Sequence, residues 1–230
     1  LLQLAHTTTG PTVPLATVER VTRKPDREGL VLGEDQASAL TKIAVSGRVV
    51  DLLVGPAGAG KTTAMNALRR AWEKEHGQGS VVGLAPSSSA AHVLAEDLGI
   101  ATENTAKWRQ SHLQADVGIQ PGQLVIVDEA SLAGTLSLDR IAQLAAQAGA
   151  KMLLVGDYAQ LQAVDAGGAF GLLTHDRDDV PELVDVHRFT HDWEKRASLD
   201  LRHGHAEVID TYDAHERIVD GDTEEMIDPE

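Results

Sequence analysis

The chain has 230 residues, enough to bury one sizeable core and to carry a small appendage at either end. It has no cysteine, which excludes a disulfide framework or thiolate metal site and fits a reducing cytoplasm; no apolar run nears the roughly 18 to 20 residues that span a bilayer, so a cytoplasmic protein without a membrane segment is expected. The net charge of −15 speaks at first sight against a nucleic-acid partner, but residues 203 to 230 alone hold ten acids and one arginine, and a locally positive groove is compatible with an acidic tail.

Residues 1 to 32 mix short apolar pieces with Thr, Pro and Gly, as in Thr7-Thr8-Thr9-Gly10-Pro11, and read as a linker and irregular lead-in. The chain opens on Leu and closes in acidic sequence, which reads as a piece of a longer protein. Ala37, Leu40, Ile43 and Ala44 recur at helical spacing and predict a short amphipathic helix from Glu34 to Val45, ended by Gly47. A regular alternation follows: strand Val49 to Val54, helix Lys61 to Glu75, strand Ser80 to Ala85, helix Ser88 to Leu98, strand Leu124 to Val127, helix Leu136 to Ala148 and strand Lys151 to Val155. A last strand at Leu183 to Val186 and a helix from Asp192 to about Arg202 close the series. Short, continuously apolar strands between helices predict an α/β fold whose parallel sheet is covered on both faces. The segment from residue 204 onward carries one short helical stretch within an acidic run, which reads as solvated surface or the start of a further domain.

The apolar run ending at Val54 passes directly into Gly55-Pro56-Ala57-Gly58-Ala59-Gly60-Lys61-Thr62-Thr63. This is G-x-x-x-x-G-K-T between a predicted strand and a predicted helix, the context that a phosphate cradle requires. Its glycines let consecutive N–H groups turn toward phosphate oxygens, Lys61 brings a compact charge to the β- and γ-phosphates, and Thr62 is placed to ligate Mg²⁺.

Val125-Ile126-Val127-Asp128-Glu129-Ala130-Ser131 then supplies a carboxylate pair at a strand end. Asp128 suits Mg²⁺, and Glu129 suits the orientation and deprotonation of an attacking water, which favours hydrolysis. Standing alone, the pair would also serve as a helix cap with a charged first turn. A third strand end, Gly156-Asp157-Tyr158-Ala159-Gln160, offers Gln160 as a sensor of the γ-phosphate, or else an ordinary Gly-Asp turn.

The strings GPAGAGKTT, LAPSSSAAHVL, VIVDEAS, VGDYAQLQAVDAGGAF and LVDVHRF, in this order over residues 34 to about 203, resemble a superfamily 1 DNA helicase of the RecD-like branch. The likeness is greatest to the helicase half of MobF-type conjugative relaxase-helicases, and G-D-x-x-Q-L followed by A-G-G-A-F is its most discriminating part, a block foreign to kinases, GTPases and AAA-type remodellers. The resemblance implies a RecA-like P-loop ATPase domain over residues 33 to 203, acting with ATP and Mg²⁺ on single-stranded DNA, with 5′-to-3′ movement. It gives Gln36 the reading of the adenine edge, Gln160 the γ-phosphate, and Arg188 the charge that develops there during transfer. It places DNA contacts at Pro86 to Ser89, here Ser87 and Ser88, and in a second loop from Thr102 to Trp108, with Thr102, Lys107 and a stacking Trp108. Ser87 also reads as a helix cap, Trp108 as a core residue, Gln36 as a solvated helix residue, and Arg188 as one half of a surface ion pair.

The second RecA-like domain and the N-terminal relaxase domain of that family have no counterpart in these 230 residues, so both are expected in a longer parent, and the isolated piece is expected to turn ATP over slowly. A P-loop ATPase or kinase acting on a substrate other than nucleic acid is the alternative. His203, His205 and His215 lack a zinc-like pattern.

Overall fold

The computed structural model describes residues 1–25, 29, 31–114, 118–159, 168–184, 189, 191–202 and 204–218. The chain divides into two compact units, Leu1–Val186 and His187–Glu230. The first contains one five-stranded sheet in the order β1-β5-β4-β2-β3, every pair parallel. Its strands are β1 (Val50–Val54), β2 (Val81–Ala85), β3 (Ala101–Asn104), β4 (Leu124–Val127) and β5 (Lys151–Gly156). Val50 stands beside Met152 and Val54 beside Gly156, so β1 and β5 finish level with each other. Strands β1, β4 and β5 are buried at every residue, as a parallel sheet with two covered faces demands.

Alternation along the strands splits the core. Leu53, Ile126, Leu153 and Val155 face one side, where they pack with α2 (Leu15–Thr22), α3 (Glu34–Val45), α4 (Lys61–His76) and α5 (Ser88–Leu98). Leu52, Val54, Val125, Val127 and Leu154 face the other, against α1 (Leu2–His6), α7 (Thr135–Ala148) and α8 (Ala169–Asp176). Helix α6 (Thr105–Gln114) follows β3 and sets Trp108, partly buried, against this second face. Among the described residues no helix is long and apolar enough to cross a membrane.

Residues 1 to 25, read from the sequence as an irregular lead-in, carry α1 and α2 and belong to the first unit. Ala5, Val13 and Val18 are buried, and backbone bonds from Gly10 N to Gly47 O, Val13 N to Ala44 O and Val49 N to Thr7 O hold the segment in place. The strand expected at Leu183 to Val186 reduces, among the described residues, to one parallel bridge between Val54 and Glu182; Asp185 and Val186 lie outside them.

Two charged residues stand in fully buried strands. Asp51 of β1 accepts from Lys151 Nζ of β5 at 2.9 Å and from Arg177 Nη2 at 3.1 Å. Lys151 Nζ also donates to Ile43 O and Ser46 Oγ, each at 2.7 Å. Arg177 continues to Asp179 at 2.9 Å and to Val50 O at 3.1 Å. Burial lowers the Lys151 ammonium, with the Asp51 charge opposing, while the Arg177 hydrogen bond holds the Asp179 carboxyl down at about 2. The apolar periodicity that predicts these strands gives no sign of this network, which ties the beginnings of β1 and β5 to the chain after α8.

In the second unit α9 (Asp192–Arg202) and α10 (Val208–Ala214) form the described helices. Trp193 stacks on His215 at 3.7 Å between ring centroids and meets Tyr212 edge-on at 5.9 Å, and Arg217 pairs with Glu194 at 3.2 Å. The boundary between the two units falls before α9.

Candidate active site

The loop from Gly55 to Gly60 leaves the C-terminal end of β1 and enters α4. Gly58 and Gly60 have φ of +81° and +75°, left-handed values that a side chain with Cβ resists, and Gly60 is the N-cap of the 16-residue α4. The first turn of α4 holds no acid, so its exposed N–H groups and the positive helix end favour an anion. Lys61 Nζ lies within the loop, donating to Gly55 O at 2.7 Å and Pro56 O at 2.9 Å. Thr62 is exposed and Thr63 partly so, while Ala59 is fully buried and anchors the loop's middle. Gly55 N donates to Gly156 O at 3.2 Å, joining the cradle to the end of β5.

Gln36 is 4 % exposed, so the solvated alternative is excluded. Its Oε1 accepts from Gly33 N at 3.0 Å and its Nε2 donates to Gly60 O at 3.3 Å. The amide therefore bridges the start of α3 and the end of the cradle.

Two further strand ends face the same edge. Asp128, after β4, accepts from Glu129 N at 2.9 Å through Oδ1. Glu129 is exposed and takes a left-handed φ of +49°, an unfavourable geometry for a residue with Cβ that recurs at functional sites. Burial raises the Asp128 carboxyl above its ordinary value; the Glu129 N–H lowers it, the Glu129 charge raises it and the Lys61 ammonium lowers it. Lys61 and Asp128 thus act on each other electrostatically although β5 separates their strands. Asp157, after β5, is 3 % exposed and accepts from Ala159 N at 3.0 Å. Gln160 and Arg188 lie outside the described residues.

The described part of the A-G-G-A-F block, Gly168 to Phe170, has a packing role at this edge. Gly168 caps α8, and Phe170, 1 % exposed, lies under Gly156, where an added Cβ would stand 3.2 Å from the ring's Cζ.

The residues suit the groups implied by the sequence. The left-handed Gly60, the acid-free helix start and Lys61 suit a nucleotide phosphate, and a partly buried carboxylate with a raised pKa at Asp128, at the same edge of the sheet as the cradle, suits a divalent cation.

The candidate DNA residues gather at the ends of β2 and β3. Ser87 caps α5, its Oγ accepting from Ala90 N at 3.0 Å. Ser88 Oγ accepts from Asn104 Nδ2 at 2.7 Å, and Asn104 Oδ1 accepts from Lys107 N at 2.7 Å. Thr102 donates its hydroxyl to Ala91 O at 2.7 Å, and Lys107 Nζ pairs with Glu103 at 3.0 Å. Sequence reading missed Asn104, although an Asn three residues before Lys107 is a helix-cap signal.

Comparison with known proteins places this arrangement. Residues 31–223 match the family model described as AAA domain. A probable conjugal transfer protein TraA of Sinorhizobium fredii is 35 % identical over 189 residues, which cover 82 % of this chain and 17 % of that protein. The ATP-dependent RecD2 DNA helicase of Deinococcus radiodurans is 38 % identical over 154 residues, covering 63 % of this chain and 20 % of that protein. The chain therefore spans about a fifth or less of these two relatives. Among solved structures, Pif1 helicase of Candida albicans aligns with a TM-score of 0.59 at 16 % identity, over 83 % of this chain and 49 % of that one. Pif1 helicase of Bacteroides, in complex with ADP-AlF3 and ssDNA, aligns at 0.55 and 18 % identity over 84 % and 52 %. The AAA description is broader than the sequence reading, which sets AAA-type remodellers apart, and the relatives narrow it. With a RecA-like sheet, a phosphate cradle and a family model over most of its length, this chain belongs to the AAA-domain family, on the RecD-like superfamily 1 branch that its motifs resemble.

Proposed function

We propose that this chain is the first RecA-like motor domain of a conjugative relaxase-helicase, binding and hydrolysing ATP with Mg²⁺ to move 5′ to 3′ on single-stranded DNA. The observation that carries the reading is the convergence of the cradle, Lys61 and the Asp128-Glu129 pair at one edge of the sheet. In this reading Gln36 meets the adenine edge, the loop amides with Lys61 hold the β- and γ-phosphates, and Thr62 and Asp128 ligate Mg²⁺. Bound Mg²⁺ supplies charge neutralisation at the phosphates. Glu129, held beyond the strand end, accepts the proton of the attacking water, Gln160 senses the γ-phosphate and Arg188 stabilises its developing charge.

The DNA reading assigns a sugar–phosphate backbone to the adjacent starts of α5 and α6, where Ser87, Ser88 and the helix amides gather. Thr102 and Lys107 are engaged within the protein and enter this reading as supports, while Trp108, partly exposed, is the residue assigned to stacking on a base. The parent protein is proposed to add the second RecA-like domain and an N-terminal relaxase domain.

The test is steady-state ATP hydrolysis by the protein extended into its second RecA-like domain, with and without single-stranded DNA, beside Glu129→Gln. Stimulation by DNA is expected, with Glu129→Gln lowering the rate by about two to four orders of magnitude while nucleotide still binds. Brisk hydrolysis indifferent to DNA would overturn the helicase reading and favour a P-loop ATPase or kinase with another substrate.

A further inference from the structure

Asp35 precedes Gln36 in the first turn of α3. A carboxylate there is favoured by the helix dipole, but Glu34 beside it is exposed and serves that purpose as well. Asp35 differs in what its two oxygens hold. Oδ1 accepts from Gln36 N at 2.7 Å, and Oδ2 accepts from Val184 N at 3.3 Å, so one side chain joins two amides from distant parts of the chain.

The Val184 end of this link is a short strap at the entrance to the cradle. Val54 N donates to Pro181 O at 3.0 Å and Leu183 N donates to Val54 O at 2.8 Å. Leu183 is fully buried and closes on Gly55 so tightly that an added Cβ would stand 3.1 Å from Leu183 Cβ. The Gln36 end reaches the exit of the cradle, through Nε2 to Gly60 O. Strap, Asp35, Gln36 and Gly60 therefore form a closed ring of contacts around both ends of the phosphate loop.

The orientation of the Gln36 amide matters chemically. Adenine presents a donor at N6 and an acceptor at N7, whereas guanine presents acceptors at O6 and N7. An amide that accepts from N6 and donates to N7 prefers adenine only while its oxygen and nitrogen keep their places. In the ring, Oε1 is turned to Gly33 N and Nε2 to Gly60 O, and each retains one further hydrogen-bonding capacity.

We infer that Asp35 is a positioning residue for nucleobase selection: by bolting the first turn of α3 to the strap, it keeps the Gln36 amide in the one orientation that prefers adenine. The inference rests on the adenine-reading role proposed above for Gln36.

The experiment titrates Mg²⁺·ATP and Mg²⁺·GTP into the 230-residue chain and its variants by calorimetry, with thermal melting as the check on folding. Gln36→Ala is expected to remove the preference for ATP. Asp35→Ala is expected to weaken ATP by about three- to tenfold while GTP stays unchanged, the loss of one or two hydrogen bonds read as a ratio. Glu34→Ala, which removes the same charge from the same turn, is expected to leave the ratio unaltered. Asp35→Asn keeps the side chain's shape with a single acceptor; it should move the ratio in the same direction by less, and it is the variant to read if the alanine form does not fold. An equal loss of both nucleotides in the Asp35 variants, or a matching shift in Glu34→Ala, would overturn the positioning role while leaving Gln36 as the base reader. If Gln36→Ala leaves the ratio unchanged, the reading of Gln36 fails and this inference fails with it.

Discussion

Asp128 follows a strand in which every residue is buried, and its own partial burial raises its carboxyl above the ordinary carboxylate value. A native state that holds a proton more tightly than the unfolded chain is favoured at low pH; this contribution is present below the ordinary pKa near 3.8 and is lost as pH rises through the raised value. At neutral pH the ionised Asp128 is thus a cost to the metal-free protein, and a divalent cation beside it relieves that cost. Protonation and Mg²⁺ compete for the same oxygens, so the gain in nucleotide affinity that Mg²⁺ brings should fall as pH drops toward the raised pKa, earlier in the descent than at an exposed aspartate. Asp128→Asn should show a small Mg²⁺ gain that is flat with pH, and should melt no lower than the parent protein without metal. Nucleotide titrations over a falling pH series from neutrality, with Mg²⁺ or with a chelator, check this; an identical pH profile in Asp128→Asn would remove Asp128 from the metal site.

Helices α5 and α6 are joined end to end by Asn104, which caps α6 through Lys107 N and donates to Ser88 in the first turn of α5. Asn104→Ala removes a cap, with an expected cost of about 1 kcal/mol, and releases the Ser88 hydroxyl. Hydrogen exchange should quicken in the first turn of α6 while the amides of β4 and β5 keep their protection; faster exchange across the sheet would mean that Asn104 supports more than this corner. The same corner shows where sequence reading stops. Helices α3 and α5 and strand β4 begin and end where apolar periodicity, caps and glycines predict, because their patterns match their burial. Strand β3 reads Ala-Thr-Glu-Asn and pairs with β2 alone, so as an edge strand it needs no apolar run. Helix α6 reads TAKWRQSHLQ, with an apolar anchor in Trp108, and α8 is eight residues long with Gly171 in its first turn, so neither announces itself by period or propensity. At the site, the cradle and the Asp128-Glu129 pair were legible because a strand end and a fixed spacing define them. Asp35 and Asn104 were not, since each acts through a hydrogen bond to residues that only the fold brings near.

The first unit as a whole depends on a segment that the sequence presents as a tether. Gly10 N donates to Gly47 O at 2.7 Å, and the space beside Gly10 is taken by backbone: an added Cβ would lie 2.6 Å from Arg48 O and 3.0 Å from Arg48 C. The φ of Gly10 is not left-handed, so the obstacle to alanine there is volume alone. Backbone cannot rotate away as a side chain can, so Gly10→Ala must move the segment itself. Three contacts go with it, from Val13 N to Ala44 O, Val49 N to Thr7 O and Arg48 Nη1 to Ala5 O. Arg48 also holds Asp179, which holds Arg177, which with Lys151 neutralises the buried Asp51, so the disturbance reaches the beginnings of β1 and β5. The cradle lies at the opposite ends of those strands. Gly10→Ala should therefore lower the stability of the chain by about 1–3 kcal/mol in urea unfolding, the usual cost of overpacking, and expose residues 1 to 25 to protease, while the affinity for Mg²⁺·ATP at low denaturant stays within about twofold. A matching loss of nucleotide affinity would show that the segment supports the cradle directly, and an unchanged unfolding midpoint would show that it can shift aside without strain.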